Sequence, residues 1–202
     1  MHHSFKALSA VTLVLCMVAS VIAQSSYYSA PSPQQWSLDP FLGVYDQWYS
    51  KAADVFGIND QFGLPHDLIE QGERVIYKKL PNGQYSQTLG RANASYNLVT
   101  VFDLGVQGIQ DVPFIPNNTF QHLFNMINAT TLKANFVWSK PDPTKTVVWE
   151  SIIAFYPNAT GYFITATVAR PIPLVSTAPW FKVANDEASA PPTILKAPPG
   201  QS

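Results

Sequence analysis

Apolar and polar positions change period several times along this chain. Between Asp39 and Gly57 the residues Phe41, Tyr45, Trp48, Ala52, Val55 and Phe56 recur at spacings of three and four, with Asp46, Gln47, Ser50, Lys51 and Asp54 opposite. That spacing predicts a helix with Asp39 as its cap, Pro40 in its first turn and Gly57 at its end. Beyond residue 70 the period moves toward two. ERVIYKKL reads as a strand entering a Pro81-Asn82-Gly83 turn, QYSQTL returns from it, and ASYNLVTVF is a further strand. NTFQHLFNMIN restores helical spacing, with Phe120, Leu123, Phe124 and Ile127 on one face and Asn118 as cap. Three strand-like runs follow, TLKANFVW, TVVWESIIAFY and GYFITATVA, and Pro171 and Pro173 close them. The order predicts an α+β fold, a mainly antiparallel sheet or partial barrel packed against two amphipathic helices.

The ends read differently. Residues 7–22 form an uncharged apolar stretch behind Lys6 and run into Val21-Ile22-Ala23, which predicts a secretory signal peptide over 1–23 and a secreted, extracellular product. Residues 24–37 read as a flexible arm, 38–175 as one domain, and 176–202 as a Pro/Ala-rich flexible tail. The single cysteine, Cys16, leaves with the signal, so the mature chain of about 179 residues has no disulfide and depends on a packed core. Loss of Lys6 leaves 11 basic against 13 acidic side chains, which points away from nucleic acid and from anionic membranes as partners. No second apolar run predicts a membrane span in the mature chain.

Asn-x-Ser/Thr occurs at Asn93, Asn117, Asn128 and Asn158, so each is an expected N-glycosylation site on the surface, with Asn117 and Asn128 close together in sequence. No nucleophile elbow, phosphate-binding loop, dinucleotide fingerprint or zinc spacing is present. His66 and His122 are the only histidines left after cleavage, and both are expected in solvent. The acidic residues are scattered, so catalytic residues and metal ligands are expected to be none.

The run LIEQGERVIYKKLPNGQYSQTL resembles the opening hairpin of the SOUL haem-binding family, with Lys78, Lys79 and Pro81 at matching places. The segment Phe120-x-x-Leu123-Phe124-x-x-Ile127 is similar to that family's next helix, and ESIIAFYP and GYFITATV to its later strands. The Met-Thr-x-Pro-Val run of the family is absent, and so is the second half of its barrel. The resemblance implies a haem-type cofactor, although no haem ligand carries over. FLGVYDQWYS also resembles the opening of the lipocalins, with Tyr45 where a tryptophan is usual, but the helical spacing there argues against that likeness.

Three functions stay open. The first is a carrier of a hydrophobic or tetrapyrrole-like small molecule, with Phe120, Phe124, Trp138 and Trp149 lining its pocket. In the second, a structural or adhesive glycoprotein, the same aromatics fill a core. The third is a hydrolase whose acid pair is invisible in sequence.

Overall fold

The computed structural model describes residues 36–47, 55–65, 72–91 and 94–192. Ten antiparallel strands follow one another around a nearly closed barrel: β1 (Gly43–Gln47), β2 (Glu73–Lys79), β3 (Tyr85–Arg91), β4 (Leu98–Phe102), β5 (Gln107–Asp111), β6 (Thr119–Asn128), β7 (Thr131–Ser139), β8 (Val147–Phe155), β9 (Gly161–Arg170) and β10 (Leu174–Ala184). Except for β4 and β5, each strand pairs with its neighbour in sequence, and β1 pairs with both β2 and β10, so the meander turns back on itself. Among the described residues no ladder joins β4 to β5; there the Gln110 side chain donates to the carbonyl of Val99 at 2.8 Å. Among the described residues one α-helix, α1 (Val55–Phe62), lies between β1 and β2.

This corrects the α+β expectation with its two amphipathic helices. Residues 43–47, expected in the first helix, are β1. Asp39 does not cap a helix: it starts a 3-10 turn over Asp39–Phe41, and its carboxylate takes hydrogen bonds from Lys79 and from the Tyr85 hydroxyl. Gly57 lies inside α1, where a Cβ would come within 3.0 Å of Leu174 on β10. The helix stops at Gly63 instead, whose φ of +77° lets Leu64 and Gly63 donate to the carbonyls of Asn59 and Asp60. The expected positions Trp48 and Ala52 lie outside the described residues.

The second expected helix, 118–128, is strand β6. Phe120, His122, Phe124 and Met126 point inward and are buried, while Ile127 is exposed. Asn118 is a loop residue whose side-chain carbonyl accepts the Trp138 indole N–H at 2.8 Å. Two further strands depart from the sequence reading. The polar run Gln107–Asp111 is β5, and Leu174–Ala184, beyond the prolines expected to close the sheet, is β10.

Alternation fixes the rest. Inward residues make lateral rows around the wall, such as Gly108, His122, Phe136, Trp149 and Val168 across β5 to β9. At the end that carries the β2–β3, β4–β5, β6–β7 and β8–β9 turns the interior is solid. Leu38 and Phe41 enter there from the 3-10 turn, and Phe41 stacks on Phe155 with centroids 4.3 Å apart, a pairing worth about 0.5–1.5 kcal/mol beyond its buried area. Tyr45 donates to the Phe41 carbonyl at 2.7 Å, and Phe102 stacks on Phe124 at 3.9 Å.

Candidate functional site

The opposite end of the interior is hollow. A cavity of about 170 Å³ lies beneath α1, between the inner faces of β1 to β4 and β6 to β10. With roughly 10–15 Å³ of such space needed per water, it has room for on the order of ten waters or a compact apolar group. Phe62, at the helix end, sets its ring between Trp138 and Trp149, with centroids 5.0 and 4.9 Å away. Tyr96 from the β3–β4 connection and Phe114 from the β5–β6 connection meet at 5.6 Å and complete the aromatic roof.

The roof is tied to the barrel by polar contacts. The Gln61 carboxamide donates to the Ile172 carbonyl at 3.0 Å and accepts from the Ile172 amide at 3.3 Å, which fastens α1 to the β9–β10 turn. Lys140 donates to the Gln61 carbonyl at the negative end of the helix, and burial there pushes its ammonium pKa down. The Asn118–Trp138 bond holds the β5–β6 loop against the wall.

Of the four residues expected to bind ligand, Phe120, Trp138 and Trp149 border this cavity. Phe124 does not; it is fully buried against Phe102 in the solid end. Sequence reading missed Phe62 and the polar group on the β10–β1–β2 side. Cross-strand register places Trp180, Gln47 and Glu73 side by side there, and all three border the cavity. Their inward direction follows from strand alternation alone, once β1 and β10 are known to be strands. The indole N–H of Trp180 is buried with no hydrogen-bond partner among the described residues, a state that costs about 1–3 kcal/mol. The Tyr77 hydroxyl, by contrast, accepts from Gln87 at 2.9 Å.

His122, expected in solvent, is inside the wall at 3% exposure. Its ring covers Gly108 and lies between Phe120 and Phe124. Neither ring nitrogen has a hydrogen-bond partner among the described residues. Burial lowers its pKa, and the nearby Val101 backbone offsets part of this without reaching hydrogen-bond geometry. His66 lies outside the described residues.

The cavity does not fit a haem. Its described lining contains no histidine, cysteine or methionine to hold the iron. Burial raises the pKa of the Tyr77 and Tyr162 hydroxyls, which disfavours the phenolate an iron would take. Among the described residues no group of three or more His, Cys, Asp or Glu forms a metal site, and no helix is long and apolar enough to cross a membrane.

Asn117, Asn128 and Asn158 are exposed, and Asn93 lies outside the described residues. Asn117 and Asn128, near one another in sequence, stand at opposite ends of β6, roughly 35 Å apart at ~3.3 Å per residue. At the hairpin tips, the side-chain carbonyls of Asn128 and Asn158 accept from Thr130 and Thr160 of their own sequons.

No family model matches the sequence, and no curated protein matches it. Solved structures do match the fold. A secretary abundant heat soluble protein from Ramazzottius varieornatus aligns with a TM-score of 0.56 at 13% identity, over 76% of this chain and 99% of that one. Fatty-acid-binding protein 1 from Echinococcus granulosus aligns at 0.54 and 15%, over 72% and 99%. A Schistosoma mansoni fatty-acid-binding protein in complex with arachidonic acid aligns at 0.54 and 11%, over 72% and 98%. At these identities the likeness concerns the fold alone: the neighbours are fatty-acid-binding and lipocalin-like β-barrel proteins, and no family match supports the SOUL resemblance.

Proposed function

We propose that this chain is a secreted, N-glycosylated carrier that holds an apolar small molecule inside its barrel, beneath α1. The observation that carries the reading is the cavity itself: aromatic and aliphatic side chains with a few convergent polar groups, closed at one end by packed rings and roofed at the other by a helix. Such a lining suits a small molecule that is mostly hydrocarbon. The structural neighbours named as fatty-acid-binding proteins support the same class of ligand. Secretion rests on the apolar stretch at 7–22, and glycosylation on the sequons with exposed asparagines.

The test is direct. The protein is purified from a secreting eukaryotic host, extracted with organic solvent, and the extract analysed by mass spectrometry. The stripped protein is then titrated with a fluorescent fatty-acid analogue and, separately, with haemin. A retained lipid-like molecule and saturable binding of the analogue are expected, with no Soret shift. A clean extract together with no binding would overturn the reading.

A further inference from the structure

We propose that the indole N–H of Trp180 is the polar anchor of the cavity and donates a hydrogen bond to an acceptor oxygen on an otherwise apolar ligand. The proposal deepens the carrier reading and rests on it.

Trp180 is 4% exposed, borders the cavity, and has a buried N–H without an acceptor among the described residues. Buried donors are nearly always paired in folded proteins, so a donor left over at a cavity wall marks a place where something else supplies the acceptor. Trp138, on the other side of the cavity, shows the contrast, since Asn118 satisfies its indole. The Trp180 ring is also held in place, stacked on Tyr162 at 5.6 Å with planes 18° apart, so the direction of its N–H is set before any ligand arrives. Preorganised donors lose little freedom on binding.

The surroundings favour a head group at this level of the barrel. Gln47 is the cross-strand partner of Trp180, and Glu73 that of Gln47, so a carboxamide and a carboxylate lie along the same row. Apart from Asn59, Gln87, Ser151 and Ser176, the rest of the lining is ring and aliphatic surface. A ligand would therefore place its oxygen by Trp180 and its hydrocarbon under Phe62 and Trp149. Carboxylate, carbonyl and hydroxyl groups all present such an oxygen.

Three probes of matched chain length, sized to the cavity, separate the possibilities: decanoic acid, 1-decanol and 1-decene. The indole N–H signals of the ¹⁵N-labelled protein are followed during titration, with that of Trp180 identified by its loss in Trp180→Phe. The expected result is a downfield shift of this signal with the acid or the alcohol and none with the hydrocarbon. The oxygen-bearing probe that causes the larger shift identifies the head group. Trp180→Phe keeps the ring and removes the donor, and should weaken that probe roughly threefold to tenfold while leaving the hydrocarbon unchanged. If the variant fails to fold, sequential assignment of the wild-type signal decides alone. A Trp180 signal unmoved by both oxygen-bearing probes, or equal weakening of all three, overturns the anchor. Binding of all three with an unmoved indole removes the anchor and leaves the carrier, whereas binding of none removes both.

Discussion

The ring of Phe62 meets that of Trp149 edge-on, with centroids 4.9 Å apart, and this contact joins the one described helix to the barrel wall. The aromatic roof of the cavity depends on it. Phe62→Ala should destabilise the protein by about 3 kcal/mol and speed release of bound ligand severalfold. Chemical denaturation and stopped-flow displacement of a fluorescent fatty-acid analogue read the two effects. Unchanged release would show that the ligand does not leave past α1.

Gly108 has no room for a side chain. A Cβ there would lie 2.3 Å from Nε2 of His122. Gly108→Ala should therefore cost about 1–3 kcal/mol, and most of this should vanish when His122 is also truncated to alanine. A double-mutant cycle measures the coupling; additive effects would place the strain elsewhere.

The same histidine makes stability depend on pH. Its imidazole titrates near 6.5 when unfolded, and burial holds the native value lower. Below the unfolded value the unfolded state takes up a proton that the native state refuses, so His122's contribution is full above that pH and is lost as pH falls toward the native pKa. Between about pH 7 and about pH 5, His122→Gln should show a flatter decline in unfolding free energy than wild type. Parallel slopes would assign the acid sensitivity to other groups.

Asp46 and Arg74 form a two-pronged ion pair at 2.7 and 2.8 Å, with Asp46 at 0% exposure. Arg74 also donates to the Pro191 carbonyl at 2.7 Å, and Lys78 pairs with Glu187, so the segment after β10 crosses the outer face of β1 and β2. Arg74→Met leaves a buried carboxylate and should cost about 3–5 kcal/mol. The exposed Glu187→Gln should cost less than about 1 kcal/mol. Urea denaturation of the two variants checks the ranking, and equal losses would contradict it.

This crossing also explains part of what the sequence concealed. β1 is buried on both faces, so GVYDQ shows no alternation, and Phe41, Tyr45 and Trp48 pass for a helical stripe. In β6 the strand uses Phe120, His122, Phe124 and Met126, but the outward Leu123 and Ile127 are apolar too, so the same letters fit a period of three and four. β5 is nearly all polar, and β10 carries Pro179, which normally argues against a strand interior. The hairpins were legible because their turns are: Pro81-Asn82-Gly83 between β2 and β3, and Pro157 to Gly161, which leads from β8 into β9. Phe120, Trp138 and Trp149 could be chosen as large aromatics on neighbouring elements. Trp180 and Gln47 could not, because their shared row exists only once β10 closes onto β1.

The most direct test fills the cavity. Ala166 lines it from β9 and is only partly buried, so Ala166→Phe places a ring in the space assigned to ligand while the packed end stays untouched. Wild type and variant, both stripped of lipid, are titrated calorimetrically with 1-decanol and with decanoic acid. Saturable one-to-one binding of at least one of them to wild type is expected, with a loss of at least about tenfold, or ~1.4 kcal/mol, in the variant and an unchanged circular dichroism spectrum. Equal affinity in the two proteins, or no binding of either probe to wild type, would contradict an internal ligand site.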